Sequence, residues 1–221
     1  MKVGVMVPTN TRPYMARACA LQLNNQTRVP DIVCFHQNGS NSTRSYHRII
    51  QDLELQYQTH WIHTPTALQQ EQWYTVPLEA LLSQDCDIIF WCDDDDIYYR
   101  NHIESTLVHL TTTNSDMVIR NVCDCVKQSD RDFNIRYDSS FTAHANVGIS
   151  SSMAFTRAFA QEFIKDCTLN TANRIAKKEH MEYTDQVVHR ITALKFKHTV
   201  INEKSMAYFV HKGSLTSSCW V

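Results

Sequence analysis

Glycine is scarce in this 221-residue chain. There are four, Gly4, Gly39, Gly148 and Gly213, and no two lie close together. The P-loop, the dinucleotide fingerprint and the kinase Gly-rich loop each need two or more glycines within about eight residues, so that backbone can approach phosphate closely. All three are excluded, and any phosphate bound here must be handled by other means. Positive charge is not in excess either: the net charge is -2. A nucleic-acid-coating surface is therefore not expected, because neutralising phosphates takes clustered Lys and Arg. No apolar run approaches the roughly 20 residues of a membrane span, so no membrane span is expected. No secretory signal pattern precedes the first strand pattern. Cys123 and Cys125 form the one close pair among eight cysteines, with no second pair at zinc-finger spacing. Free thiols and a cytoplasmic location are the expectation. Cys34, Cys86 and Cys92 lie in apolar runs and read as small core residues.

Apolar side chains are plentiful, at 43% of the sequence, enough for a substantial core at this length. Continuous apolar runs at Lys2–Pro8, Asp31–His36 and Asp87–Cys92, with a further strand near Thr59–His63, alternate with helical patterns. Those helices are expected over Tyr14–Gln26, Ser45–Leu55 and Ala67–Ser83. Met15, Ala18, Cys19, Leu21 and Leu23 are expected to share the buried face of the first. This alternation predicts an α/β fold with a mostly parallel central sheet covered by helices on both faces. Ligands bind beyond the carboxyl ends of such strands. The loops 9–13, 37–43, 64–67 and 93–96 should lie on that edge. The second half is less regular. Helices are expected over Arg100–Thr111, Thr156–Cys167 and Glu182–Leu194. Strands are expected over Met117–Val126, Phe133–Tyr137, Ser152–Phe155, His198–Asn202 and Ala207–His211.

Four consecutive carboxylates, Asp93-Asp94-Asp95-Asp96, follow directly on the apolar run ending at Cys92. Like charges this close repel and need an offsetting charge. In extended backbone, Asp93 would converge with Asp95, and Asp94 with Asp96. Convergent oxygens at the mouth of a parallel sheet suit a hard divalent cation, Mn²⁺ or Mg²⁺. Capping the next helix would take one Asp, not four, and Asn101-x-x-Glu104 already has the pattern of a capping box.

The segment FWCDDDDIYYRNHIE resembles the "FLDxDD" segment of family 2 glycosyltransferases, whose Asp-x-Asp motif would here be Asp93-Asp94-Asp95. Val3–Pro8 with Thr9-Asn10 is similar to the opening strand and base-binding loop of that family. LQLNNQTRVPDIVCFHQNGS, residues 21–40, is similar to its second-strand segment. The three segments occur in order across roughly residues 1–110. The resemblance implies a single GT-A domain over 1–221: a Rossmann-like, nucleotide-sugar-binding half over 1–98 and a smaller mixed, acceptor-binding half over 99–221. It implies metal-dependent, inverting transfer of a sugar from a nucleoside diphosphate sugar to a hydroxyl, with a glycan or other hydroxyl compound as acceptor.

By the same resemblance, Pro8, Thr9, Asn10, Gln37 and Asn38 contact the nucleoside, and Asp93 or its neighbour Asp94 holds the ribose or shares the metal. Asp95 holds the metal, with Asp93 and His211 completing it. From their charge and position, Arg12 and Lys212 could help neutralise the diphosphate, or Arg12 could be a solvated loop residue. Asp185 is the base that takes the acceptor's proton, with Glu182 in reserve. Two departures stand out. Gln37-Asn38 replaces the family's acidic residue after the second strand, although an amide also pairs with uracil, so a UDP-sugar is favoured. The loop 64–73 lacks the family's usual Gly and Arg-Asn pattern. Trp73 and Tyr74 could stack on sugar or base, or serve the core. A sugar-phosphate nucleotidyltransferase and a non-catalytic nucleotide-, carbohydrate- or cation-binding module are the alternatives. The first commonly carries an early Gly-rich signature, which is missing here, and the calcium-loop pattern lacks its glycine after Asp95.

Overall fold

The computed structural model describes residues 1–10, 12–39, 48, 50–66, 70–128, 135–142, 150–177 and 196–210. In chain order the elements are β1 (Val3–Thr9), α1 (Pro13–Asn24), β2 (Ile32–Asn38), β3 (Gln58–Thr64), α2 (Gln70–Ser83), β4 (Ile88–Trp91) and β5 (Ile97–Tyr98). They continue with α3 (His102–Thr112), β6 (Met117–Arg120), β7 (Val122–Gln128), β8 (Ile135–Thr142), a 3₁₀ turn (Ser150–Ser152), β9 (Ala154–Thr156), α4 (Arg157–Lys177), β10 (His198–Ile201) and β11 (Met206–Val210). Expected helix Glu182–Leu194 lies outside the described residues, as do residues 45–47 and 49 of Ser45–Leu55.

Seven strands form the main sheet in the order β10-β6-β9-β4-β1-β2-β3. Every pairing in it is parallel except those of β9, which runs antiparallel to both β4 and β6. The near-continuous apolar character of β1 and β2 follows from burial on both faces. Val3, Val5, Val7, Val33 and Phe35 pack with Ala16, Cys19, Leu23, Ile103 and Leu107 on the side of α1 and α3. Met6, Ile32, Cys34, Ile89 and Trp91 pack with Leu78, Leu81, Phe159 and Phe163 on the side of α2 and α4. Gly4 is needed for this second contact: a Cβ there would stand 2.8 Å from Cys86 Sγ and 3.0 Å from Leu81 Cδ2. A second sheet has the order β5-β11-β7-β8. Among the described residues, no helix is long and apolar enough to cross a membrane.

Several local expectations need correction. The buried face of α1 is Ala16, Cys19, Ala20 and Leu23, spaced i, i+3, i+4, i+7 as a helix facing a core requires. Ala18 and Leu21 are exposed instead. The expected strand Met117–Val126 is two strands in two sheets, parted at Asn121. Its apolar pattern runs through the break because residues on both sides are buried. Arg120 marks the exit. Its fully buried guanidinium donates to the Glu203 carbonyl at 2.6 Å, Ser105 Oγ at 2.8 Å and Thr106 Oγ1 at 3.0 Å, tying β6 to α3 and to the β10–β11 connection. Asn101 does precede α3, but its side chain makes no capping hydrogen bond. The segment after Cys167 stays helical to Lys177.

Candidate functional site

The four carboxylates sit just beyond the carboxyl end of β4, a central strand, on the edge where parallel sheets bind ligands. The chain turns at Asp94 and Asp95 rather than continuing extended. The paired convergence expected for a strand is therefore replaced by four different environments.

Asp93 accepts from Trp91 Nε1 at 3.0 Å, and its backbone carbonyl accepts from Tyr98 Oη at 3.1 Å. Asp94 is buried. Its Oδ2 accepts from Thr9 Oγ1 at 2.6 Å and its Oδ1 from Arg12 Nη2 at 2.6 Å. The other arm of the Arg12 guanidinium donates to Asp95 Oδ2. Asp96 is buried against the Ser151 hydroxyl. The loop after β1 is thus stitched to the loop after β4 by one hydroxyl and one guanidinium. Arginine suits this bridge because its rigid fork can serve two carboxylates at once.

The charge in this turn is only partly offset. Burial, then repulsion from Asp95, pushes Asp93 up to about 6 against the bond from Trp91. Burial pushes Asp94 up to about 7 despite the pull of Arg12, with Asp95 and Asp93 adding repulsion. For Arg12, burial works against the charge, but Asp94, Asp95 and Asp93 together outweigh it and raise its pKa.

The base of the turn is braced from α1. Gln22 Oε1 accepts from the Tyr98 backbone N–H at 2.7 Å. Gln26 donates to the Tyr99 carbonyl at 2.9 Å and accepts from the Ile103 N–H at 3.1 Å. Across the sheet edge, Thr9 and Gln37 are Cα partners in the β1–β2 ladder, and Gln37 and Asn38 pair with His63 and Thr64 of β3. His36 is held at both ring nitrogens, by the Trp73 carbonyl at 2.9 Å and Thr64 Oγ1 at 2.8 Å. Burial lowers its pKa. Gly39 turns the chain at φ 68° and donates to the Thr64 carbonyl at 2.8 Å. Tyr74 packs on Trp91 with ring centroids 4.0 Å apart, which is a core contact.

Of the residues singled out from sequence, Pro8, Thr9, Asn10, Arg12, Gln37, Asn38, Asp93, Asp94 and Asp95 stand at the carboxyl ends of neighbouring strands β1, β2 and β4. Glu182, Asp185, His211 and Lys212 lie outside the described residues. Among the described residues, no three His, Cys, Asp or Glu side chains form a ready metal-binding group. Sequence reasoning directed Arg12 to a diphosphate and did not foresee its pairing with Asp94 and Asp95. It also missed Ser151, which lies 55 positions from Asp96 and carries no local signal.

No protein-family model matches the chain, and no curated protein matches it by sequence. Solved structures match by fold. S. aureus TarS 1-349 in complex with UDP-GlcNAc matches with a TM-score of 0.67 at 14% identity, over 100% of this chain and 62% of that one. The same fragment in complex with UDP matches at 0.64 and 13% identity, over 95% of this chain and 61% of that one. A further S. aureus TarS structure matches at 0.65 and 12% identity, over 95% and 37%. The chain therefore spans less than two thirds of the length of these proteins. The fold is of the GT-A type: a seven-stranded, mostly parallel central sheet flanked by helices.

Proposed function

We propose that this chain is a metal-dependent, inverting glycosyltransferase that moves a sugar from a nucleoside diphosphate sugar, UDP-sugars being among the donors it takes, to a hydroxyl of a glycan or similar acceptor. The observation that carries this reading is the carboxylate turn at the carboxyl edge of β4, joined to the loop after β1 within a GT-A-type fold. The likeness to S. aureus TarS, solved with UDP-GlcNAc and with UDP, supports it.

The donor set fits a hard divalent cation. Asp93 and Asp95 bring carboxylate oxygens into one turn, and His211 would add an imidazole nitrogen, which Mn²⁺ also accepts. Asp95, with Asp93 and His211, would hold Mn²⁺ or Mg²⁺. Such a cation supplies Lewis-acid stabilisation of charge on a leaving diphosphate. Arg12 fixes where Asp94 and Asp95 point and brings a permanent positive charge to the same edge. Thr9 orients Asp94 through its hydroxyl. Asp185 takes the proton of the attacking hydroxyl, and Lys212 adds positive charge near the diphosphate.

Incubation with a panel of UDP-sugars, Mn²⁺ and oligosaccharide acceptors, followed by assay of released nucleoside diphosphate, tests this reading. Release that stops on chelation and gives a product of inverted anomeric configuration is expected. No release with any donor, despite nucleotide binding, would leave a binding module as the better description.

A further inference from the structure

Gln37 stands at the carboxyl end of β2, between Thr9 of β1 and His63 of β3 in the parallel ladders. Side chains alternate along a strand. Val33 and Phe35 face α1, so Gln37 faces the same way; Thr9, after Val5 and Val7, and His63, after Trp61, do likewise. The three form a polar row across the sheet edge, and its Thr9 end is bonded to Asp94.

Gln37 is fully buried, and neither Oε1 nor Nε2 has a hydrogen-bond partner among the described residues. Nearby polar groups with structural roles look different. Gln26 uses both ends of its amide, and His36 uses both ring nitrogens. A buried amide with both ends unpaired is unfavourable, and a ligand presenting a donor beside an acceptor would satisfy it.

We infer that Gln37, at the position where the resemblance places the base, accepts uridine and cytidine diphosphates about equally. This rests on the nucleotide-sugar reading above. Uracil presents N3–H beside the O4 acceptor, whereas cytosine presents the N3 acceptor beside the N4 amino donor. A carboxylate, which only accepts, can meet the donor of either edge but opposes the acceptor beside it. An amide matches either, provided it can turn over about its Cγ–Cδ bond. Among the described residues no hydrogen bond holds the Gln37 amide in one orientation, so both pairings are open to it. Purine edges offer the same alternation, so ring size rather than hydrogen bonding would have to exclude them. Because Gln37 is buried, its cover must open to admit a base. That cost falls equally on both pyrimidines and leaves their ratio unchanged.

Calorimetric titration of the full chain with UDP and with CDP, each with Mn²⁺, tests the inference. The two dissociation constants should agree within about threefold, less than one good hydrogen bond is worth. Gln37→Glu, at a pH where the new carboxyl is ionised, should weaken both nucleotides, because either edge then sets its acceptor against a carboxylate oxygen. Gln37→Met should weaken both nucleotides together, and it carries the test if Gln37→Glu fails to fold. Wild-type CDP binding more than about 30-fold weaker than UDP, or unchanged affinities in Gln37→Met, overturns the inference and leaves the glycosyltransferase reading standing. Failure of both nucleotides to bind overturns the two together.

Discussion

Replacing Arg12 with methionine keeps a stem of similar length and removes the guanidinium that joins Asp94 to Asp95. The effect should depend on pH in a direction fixed by Asp94. Its folded pKa of about 7 stands above the ordinary 3.8, chiefly because of burial. Its contribution to stability is therefore complete at low pH and is lost as pH rises through about 7. Arg12 pulls that pKa down, so removing it extends the loss to higher pH. Near pH 5.5 Asp94 is neutral with or without Arg12. The partly exposed pairing with Asp95, worth about 1 kcal/mol or less, and one hydrogen bond to the neutral Asp94 carboxyl, worth about 1 kcal/mol, are then forfeited. Near pH 8.5 the wild-type carboxylate is ionised, and the variant must bury it unpaired or protonate it. Breaking a buried pair costs about 3–5 kcal/mol. The side chain of Arg12 is 27% exposed, so the lower end, about 3 kcal/mol, is expected. Urea denaturation of both proteins at the two pH values measures the difference. A loss that is the same at pH 5.5 and pH 8.5 would refute the account of Asp94 as the titrating partner.

Three further outcomes are expected. Asp95→Asn should abolish Mn²⁺-dependent release of nucleoside diphosphate while costing about 1 kcal/mol or less in stability; normal turnover would remove Asp95 from the metal site. Asp185→Asn should slow transfer by about 10²-fold or more with donor affinity nearly unchanged. A collapse of donor binding instead would move Asp185 to the donor site and make Glu182 the base candidate. Gly4→Ala should cost about 1–3 kcal/mol by overpacking β1 against Cys86 and Leu81, and an unchanged urea midpoint would show that this contact yields freely.

The centre of the main sheet was legible because β1, β2 and β4 are buried on both faces. Val3–Thr9, Ile32–Asn38 and Ile88–Trp91 are short apolar runs that no surface strand would carry. The β6–β7 break was not legible, because Asn121 divides two runs that both end up buried and only the partner strands distinguish them. The site was legible in its chemistry and not in its pairing. Four adjacent Asp residues announce a need for positive charge, but its source in Arg12 lies 82 to 83 positions away and only the fold brings it near. The two-residue strand β5 gave no periodic signal at all. It exists because Met206 and Ala207 of β11 pair with it.

The strand order has a consequence for how the chain assembles. β3, β2, β1 and β4 can pair with one another using residues up to Trp91. β6 follows them in sequence, but among the described residues it has no ladder to them and is joined through β9, a three-residue strand ending at Thr156. During synthesis the first block can therefore zip while β6 waits, its edge and that of β4 both open, for about 35 more residues, several seconds at cellular elongation rates. Those two edges are the places where a nascent chain of this design would be captured by a neighbour, and insertion of Ala154–Thr156 is the event that seals both at once.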